Sequence, residues 1–384
     1  MRAPSAKHVP VPTSHLDETA DVVDHRECAS GAMQGADVEA LSVSIVIPCR
    51  DERERIAACL DSILADRSDG LKKEIIVVDG RSKDGTRAVL EEYESRGSIR
   101  MIDNPKRITP VAMNLGIKAA RGSMVLIMGA HAEYPPDYVT RCVRHLMESG
   151  ADNVGGVLEV WPGNETLSGL VLASVVRSRF GIGVARFRTA GTAPQEVDTV
   201  FGGCYRRELF DRIGGFDERL VRGQDREFNL RLRKAGGRII QFPDITVRYY
   251  ARSRIWPFVK WVFLSATVPV AMSRALRRVL FSWRNLVPPG FLGALILLTG
   301  LAVGIGGSAR AGPLSLLCLH LVVGIAFSVR EARRWRRLAL LLLLPPAFLV
   351  THVAYGLGTV WGSLGGGPIR GSTERTDGGG EDSV

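Results

Sequence analysis

"VSIVIPCRDERERI" (residues 43–56) and "KEIIVVDGRSKDGT" (residues 73–86) decide the fold. Each stretch begins with a short, β-branched apolar run, which is the composition of a buried strand, and then turns polar. Apolar residues at helical spacing follow in residues 53–64, and residues 83–97 form a second helical pattern that ends at a glycine. A strand, a helix and a second strand in this order predict an α/β fold with a mostly parallel, Rossmann-like sheet and helices on both faces.

The alternation of strands and helices continues to residue 128. Residues 99–103 and 123–128 are predicted strands, and a helix is predicted between them around residues 110–120. Right-handed crossovers place the carboxyl ends of parallel strands along one edge of the sheet. The clusters at these ends are Cys49-Arg50, Asp79-Gly80 and the segment from Gly129 to His131. Polar clusters at consecutive carboxyl ends indicate a nucleotide-binding crevice.

Missing motifs argue against several classes of protein. No GxGxxG joins the first strand to the first helix, which disfavours a nicotinamide or flavin domain, and no GxxxxGK[ST] indicates a P-loop NTPase. The six cysteines form no CxxC pair, so the sequence predicts neither a zinc ribbon nor a disulfide framework.

The apolar residues concentrate near the C-terminus, in residues 286–361. Three membrane spans are predicted there, at about 286–306, 312–329 and 338–357. Much of the excess positive charge (+10 overall) lies beside these spans, at 274–284 and 330–337. Basic residues that flank spans are typical of the cytoplasmic side of a membrane protein. We therefore attribute the charge to a membrane and expect no nucleic-acid partner.

The remaining segments complete the predicted organisation. Residues 251–285 mix basic and apolar residues, which favours an amphipathic helix at the membrane interface, with a core helix as the alternative. Residues 1–40 and 362–384 are predicted to be disordered tails. These boundaries leave residues 41–250 as the globular domain.

The orientation of the chain follows from its basic loop. If residues 330–337 are cytoplasmic, the globular domain is cytoplasmic too and the C-terminal tail lies outside. A third span broken at Pro345-Pro346 would instead return the tail to the cytoplasm.

One carboxylate is placed to bind a nucleotide. Asp79 follows a buried strand, where it can accept hydrogen bonds from a base N–H or from ribose hydroxyls, and Gly80 and Gly85 would let the backbone approach a ligand closely. The alternative is that Asp79-Gly80 and Asp84-Gly85 are ordinary turns.

Taken together, these stretches resemble the family 2, GT-A-fold inverting glycosyltransferases. That family begins with a strand-PxxNE segment and continues to V-D-x-x-S-x-D-G-T, and here Arg50-Asp51-Glu52 replaces the usual x-Asn-Glu. The resemblance extends through residues 104–123, 197–237 and 351–362, where it is greatest to the succinoglycan-biosynthesis type of membrane glycosyltransferase. It covers about residues 42–362 and implies a GT-A-like domain followed by transmembrane helices.

The resemblance also implies donor-binding residues. Asp79 would bind the uracil or ribose of a UDP-sugar, helped by Glu52 and by the backbone near Pro48. Arg107 would lie near the pyrophosphate, although a solvated lysine–arginine pair is the alternative. Gly129 and Ala130 would line the donor site from the end of the fourth strand.

Asp225 in "GQDREF" matches the carboxylate that deprotonates the acceptor hydroxyl in this family. Such a base is needed because the hydroxyl attacks C1 of the sugar while the nucleotide departs. Its place near a helix start suits N-terminal capping as well. Gln224 precedes it on the acceptor side, and Trp256 would be an acceptor platform or an interfacial anchor.

The segment Gly129-Ala130-His131 replaces the metal-binding D-x-D of the wider family, and the succinoglycan type has Asp-Ala-His there. The first carboxylate is therefore absent, and His131 becomes the candidate ligand of a divalent cation, Mn²⁺ rather than Mg²⁺ because imidazole suits Mn²⁺ better. A structural histidine is the alternative. Glu133 would be a compensating carboxylate only if its side chain faced the site.

The predicted function is transfer of a hexose from a nucleotide-sugar to a polyprenyl-linked oligosaccharide, in exopolysaccharide or cell-surface glycan synthesis, by a multi-pass protein of the plasma membrane. No QxxRW signature of processive synthases is present, which favours addition of a single sugar. The rival hypothesis, suggested by Gly129, is a catalytically inactive membrane scaffold with a glycosyltransferase fold.

Overall fold

The computed structural model describes residues 42–66, 70–182, 192–275 and 283–366. The predicted tail 1–40 lies outside the described residues, and so do residues 367–384 of the predicted C-terminal tail. Part of the basic segment 274–284 also lies outside them.

Nine strands of the described chain form one sheet. They are β1 (Ser42–Cys49), β2 (Lys72–Asp79), β3 (Arg100–Asp103), β4 (Met124–Ile127), β5 (Ala132–Glu133), β6 (Asn153–Pro162), β7 (Gln195–Glu196), β8 (Phe201–Arg206) and β9 (Ile239–Ala251). The order across the sheet is β3-β2-β1-β4-β8-β6-β9-β5, with β7 paired to β9. The first four strands run parallel, β1 lying between β2 and β4. The mostly parallel α/β sheet that the sequence predicts is confirmed.

Eleven α-helices lie within the described residues. They are α1 (Ile56–Leu64), α2 (Thr86–Ser95), α3 (Thr109–Ala119), α4 (Tyr138–Ser149), α5 (Leu167–Arg177), α6 (Glu208–Ile213), α7 (Gln224–Lys234), α8 (Ile255–Ala275), α9 (Val287–Ile305), α10 (Ala311–Trp335) and α11 (Ala339–Ser363). Helices cover both faces of the sheet, because alternate strand residues enter two separate cores. Ile45 of β1 belongs to the core that contains Leu60 of α1. Val46 belongs to the core that contains Phe228 of α7.

The second half of the sheet is mixed. β8 runs antiparallel to both β4 and β6, whereas β6 and β9 are parallel. The strand predicted at 238–244 continues to Ala251, because its pairing with β6 resumes after a register shift beside Gly156. A Cβ atom at Gly156 would lie 2.2 Å from the Ile245 carbonyl oxygen, so only glycine lets the two strands approach there.

Four helices of the described chain are long and apolar enough to cross a membrane: residues 255–274, 287–305, 307–335 and 339–363. The last three correspond to the predicted spans. The fourth is α8, for which the sequence predicts an interfacial helix. Two further boundaries change: residues 330–335 of the predicted basic loop continue α10, leaving Arg336 and Arg337 in the turn, and α11 runs through Pro345-Pro346 to Ser363.

Helices α8 and α11 pack closely because two glycines, one turn apart, face α8. A Cβ atom at Gly358 would lie 2.2 Å from the Phe263 carbonyl oxygen, and one at Gly362 would lie 2.5 Å from that of Thr267. The Thr267 hydroxyl donates a hydrogen bond to the Gly358 carbonyl over 3.0 Å. Small residues spaced in this way allow helix backbones to approach in a membrane protein.

The cytoplasmic end of the bundle, as the sequence predicts it, contacts the sheet domain. Arg334 of α10 donates to Glu159 of β6 over 2.9 Å, and Arg177 of α5 lies 3.3 Å from the buried Glu331. The Trp161 and Trp335 rings meet edge to face between these pairs. One hydrophobic core therefore extends from the sheet through α5 into α10 and α11.

Candidate active site

A cavity of about 700 Å³ lies at the carboxyl edge of the parallel strands, between the sheet, the start of α7 and the side of α8. Eight predicted site residues line it: Pro48, Glu52, Arg107, Gly129, Ala130, His131, Gln224 and Asp225. Two others, Asp79 and Trp256, do not. A crevice at the carboxyl ends of strands is where open α/β sheets bind ligands.

The segment Ser82–Thr86 fixes the position of Glu52. The Glu52 backbone N–H donates to the Thr86 hydroxyl oxygen over 2.8 Å, and the Thr86 hydroxyl donates to Asp84 over 2.6 Å. Asp84 also accepts from the Arg53 N–H over 3.0 Å. Gly85 has a φ of +96° at the start of α2, a conformation that suits glycine. The two motif stretches that decide the fold therefore join directly beside the cavity.

His131 is oriented by Glu52. Its Nδ1 lies 3.0 Å from Glu52 Oε1, and its ring packs edge to face against Tyr249. An Nδ1–H donated to the carboxylate leaves the lone pair on Nε2. A carboxylate bound to one imidazole nitrogen is the common arrangement when the other nitrogen binds a metal.

An aromatic ring lies close to the position where the missing first carboxylate would be attached. A Cβ atom at Gly129 would lie 3.2 Å from Phe201 Cζ and 3.8 Å from the Tyr134 hydroxyl. Tyr134 instead binds the Gly129 backbone, accepting its N–H over 2.7 Å. Glu133 does not line the cavity, and its carboxylate lies beside Tyr250, so it does not compensate.

A divalent cation therefore fits this site only if a bound nucleotide-sugar supplies some of the coordinating atoms. Among the described residues, no group of three His, Cys, Asp or Glu side chains is placed to hold a metal. His131 supplies one nitrogen ligand with a carboxylate behind it, and further ligands would have to be phosphate oxygens and water. Diphosphate oxygens at the same edge of the sheet would complete such a set.

The Asp79 carboxylate is enclosed by protein rather than open to a ligand. Asp79 is fully buried, accepts from the Ser82 hydroxyl over 2.6 Å and from Arg87 Nη1 over 3.2 Å. Gly80, the next residue, reaches the cavity. The expected contact of Asp79 with a base or ribose is thus not preformed, because Arg87 of α2 already neutralises the carboxylate.

Two arginines line the side of the cavity near β1 and β3. Arg107 has a φ of +58°, and its carbonyl oxygen accepts a hydrogen bond from Arg50 Nη1 over 3.3 Å. Lys106 instead pairs with Glu218 over 3.0 Å. The two members of the predicted lysine–arginine pair therefore separate, and Arg107 faces the cavity. Arg50 was not predicted as a site residue, although it follows the first strand directly.

Asp225 is the second residue of α7 and does not cap that helix. Gly223, with a φ of +74°, occupies the N-cap position without a side-chain hydrogen bond. Within the described residues, no hydrogen bond or ion pair engages the Asp225 carboxylate, and Gln224 Oε1 is buried without a partner. Burial and the nearby Asp225 charge raise the pKa of Tyr205 below it. An unpaired carboxylate facing a cavity is available to accept a proton.

A buried polar network holds α7 against the sheet. Asn229 of α7 accepts from Asn153 of β6 over 3.2 Å and donates to the Thr199 hydroxyl over 2.9 Å. These bonds hold α7 against the sheet one turn after Asp225.

The acceptor side differs from the prediction. Trp256 is 77% exposed in the first turn of α8 and does not reach the cavity, whereas Trp261 lines it. Trp261 lies about one and a half turns after Trp256, on the opposite side of α8, and this side faces the sheet domain. Arg222, Tyr249 and Arg252 also line the cavity and were not predicted. Arg222 is close in sequence to the predicted Gln224-Asp225 pair, and this position was the one sequence feature that could have identified it.

Comparisons with known proteins agree with this geometry. Residues 44–214 match the family model described as glycosyl transferase family 2. The chain is 28% identical over 333 residues to the succinoglycan biosynthesis protein ExoA of Rhizobium meliloti, covering 80% of this chain and 98% of that protein. It is 30% identical over 271 residues to the dolichyl N-acetyl-alpha-D-glucosaminyl phosphate 3-beta-D-2,3-diacetamido-2,3-dideoxy-beta-D-glucuronosyltransferase of Methanococcus voltae, covering 68% and 83%.

A solved structure shares the fold. The mannosyltransferase PcManGT of Pyrobaculum calidifontis, in complex with GDP-Man and Mn²⁺, aligns with a TM-score of 0.53 at 21% identity. The alignment covers 84% of this chain and 86% of that one. The expected GT-A-like architecture is confirmed at the level of the fold.

Proposed function

Because this chain belongs to glycosyl transferase family 2 and is a glycosyltransferase, we propose that it transfers a hexose from a UDP-sugar to a polyprenyl-linked oligosaccharide with inversion at the anomeric carbon. The relatives support a role in lipid-linked glycan synthesis, one named for succinoglycan biosynthesis and the other for transfer to a dolichyl phosphate glycan. The observation that carries the proposal is the unpaired Asp225 carboxylate in the wall of the cavity.

Asp225 acts as the general base. It takes the proton of the acceptor hydroxyl while that oxygen forms a bond to C1 of the sugar and the bond from C1 to the diphosphate oxygen breaks. The nucleoside diphosphate leaves from the opposite face of the ring, which inverts the anomeric centre. General-base catalysis of this kind contributes roughly 10²- to 10⁴-fold to rate.

The departing diphosphate gains negative charge, and Arg50 and Arg107 are the cations nearest the β1 and β3 ends of the cavity. Fixed positive groups that face developing charge stabilise the transition state. The nucleotide itself would bind along β1, with Pro48 and Gly80 supplying backbone contacts.

His131 would hold a divalent cation, Mn²⁺ in preference to Mg²⁺, together with the diphosphate oxygens of the donor. Such an ion supplies Lewis-acid stabilisation of the leaving group. Glu52 keeps the His131 ring oriented with Nε2 toward the cavity, and Gly129 and Ala130 leave room for the sugar at the end of β4. The structure of the Pyrobaculum mannosyltransferase with GDP-Man and Mn²⁺ supports testing this ion first.

We propose that the protein lies in the plasma membrane with its catalytic domain in the cytoplasm. Arg334, Arg336 and Arg337 lie at the end of the bundle that contacts the sheet domain, as the positive-inside pattern requires. The proposed three-span topology keeps α8 at the membrane surface, although this helix is also long and apolar enough to cross a membrane. Protease treatment of sealed vesicles should spare a C-terminal tag from the cytoplasmic side; cleavage there would overturn this topology.

A panel of nucleotide-sugars tests the function. Membranes that contain the protein should convert one UDP-sugar into a lipid-linked product whose mass grows by a single hexose, with an inverted linkage by NMR. A product extended by many sugars would contradict single addition. No turnover with any donor, together with tolerance of Asp225→Asn, would favour the scaffold hypothesis, which Gly129 in place of the first carboxylate suggests.

A further inference from the structure

Two arginines line the α8 side of the cavity without an acid beside them. Arg222 precedes α7 and is half-buried, whereas Arg252 follows β9 and is exposed. Within the described part of the chain, no carboxylate pairs with either guanidinium. Arg252 packs instead over the Trp261 ring, at 5.8 Å from its centroid. Burial, and then the charge of Arg252, lower the pKa of Arg222.

For Arg222 this arrangement is unfavourable in the protein alone. Removing a guanidinium from water costs free energy that a paired carboxylate would normally offset, and a like charge beside it adds to that cost. The two carboxylates of the cavity, Glu52 and Asp225, are placed elsewhere: Glu52 contacts His131, and Asp225 has no ion-pair partner. Cationic groups held in this way are complementary to a bound anion.

The surroundings of the pair indicate which anion it takes. Trp261, Val268 and Pro269 of α8 line the same part of the cavity. Leu220, close to Arg222 in the chain, packs on Val268 and Met272 of the same helix. This wall is therefore apolar and belongs to the helix that contacts α11 of the bundle. The two arginines on the nucleotide side, Arg50 and Arg107, are joined to each other and lie on different elements.

We propose that Arg222 and Arg252 form a second anion subsite that binds the phosphate group of the lipid-linked acceptor, with the lipid chain leaving the cavity along α8. This inference rests on the proposed function and adds the acceptor-binding residues to it. Arg254 lies two residues after Arg252 and is likewise exposed, but it does not line the cavity, which makes it a matched control.

The test uses the purified full chain in detergent with two probes. Undecaprenyl phosphate reports on the lipid subsite, and UDP reports on the donor site; both affinities are measured by direct binding. Arg222→Gln and Arg252→Gln, alone and together, should weaken undecaprenyl phosphate binding about tenfold or more and leave UDP binding unchanged. Arg254→Gln should change neither. Lost UDP binding with retained lipid binding would assign the pair to the donor diphosphate and overturn the inference, as would unchanged binding of both.

Thermal unfolding separates this role from a structural one. Because Arg222 is desolvated beside Arg252 without an acid, Arg222→Gln should raise the melting temperature of the ligand-free protein. A lowered melting temperature would make Arg222 a structural residue and refute the subsite. Neither the binding measurement nor the melting temperature requires turnover. If the protein transfers sugar while Arg222→Gln and Arg252→Gln bind undecaprenyl phosphate normally, this inference is wrong and the proposed function stands.

Discussion

Glu52 Oε1 lies 3.0 Å from His131 Nδ1, so a carboxylate from the first motif orients the imidazole at the end of the fourth strand. If that imidazole binds Mn²⁺, Glu52→Gln should weaken Mn²⁺ binding to the UDP-loaded protein about tenfold or more, because the loss of the carboxylate makes Nε2 a poorer ligand. Free Mn²⁺ measured by electron paramagnetic resonance gives the affinity directly. Glu133→Gln, two residues beyond His131 and outside the cavity, is the control. Equal Mn²⁺ affinity in the two variants would show that Glu52 only packs against the ring.

Restoring the missing carboxylate requires space as well as charge. The Cβ atom of Gly129→Asp would lie 3.2 Å from Phe201 Cζ, so the single variant is crowded. We expect the double variant Gly129→Asp with Phe201→Leu to bind Mn²⁺ more tightly than the unmodified protein, and the single Gly129→Asp variant to gain less. Phe201→Leu alone controls for the loss of the ring. If Mn²⁺ binding stayed constant across the set, the segment 129–131 would be an ordinary turn.

Asp225→Asn keeps the shape of the side chain but removes the base. Transfer should fall roughly 10²- to 10⁴-fold in kcat, while UDP affinity and melting temperature stay constant, because no partner of the carboxylate is lost. Asp198→Asn is a suitable control: that side chain is exposed, pairs with Arg233 and lies outside the cavity. Near-normal turnover of Asp225→Asn would remove it as the general base.

The α8–α11 contact can be tested with a pair of glycine substitutions. Gly358→Ala would force a methyl group to within 2.2 Å of the Phe263 carbonyl oxygen, so the helices must separate. Overpacking of this kind costs about 1–3 kcal/mol, and activity should fall with stability because α8 forms a wall of the cavity. Gly293→Ala has no atom within 4 Å of the new Cβ and should be neutral or stabilising. Thermal unfolding in detergent compares the two; equal melting temperatures would show that the close contact is unimportant.

The first half of the fold was predictable because its signals are local. β1 and β2 are buried on both faces, so each forms a continuous apolar run that ends in polar residues, and the observed bounds differ from the predicted ones by one residue at each end. The order β8-β6-β9 was not predictable, since strands far apart in sequence select it, β8 as an antiparallel and β9 as a parallel partner of β6. The register shift at Gly156 likewise depends on the approach of β9.

Site residues could be predicted where a single sequence motif contains them. Contacts between segments that are distant in sequence could not be predicted in this way. Asp225 and His131 follow from position in their own motifs, and both line the cavity. The enclosure of Asp79 depends on Arg87, whose side chain turns back from α2, and no pattern in the strand reveals it. Arg222 and Arg252 lie 30 residues apart in sequence, and only the fold brings both to the same cavity. Trp256 and Trp261 are equally plausible in sequence, and only the packing of α8 distinguishes them.

If the apolar helices cross a bilayer, the contacts of Glu159 with Arg334 and of Arg177 with Glu331 would hold Asp225 at a set distance from the membrane surface. A fixed distance between the active site and the membrane surface would limit which acceptors can reach the site. An acceptor anchored by its lipid, with its phosphate held at Arg222 and Arg252, would then present to Asp225 only a hydroxyl close to that phosphate, because all three residues line one cavity. Selection for the length of the growing chain would then come from the stiffness of the joint rather than from recognition of each sugar.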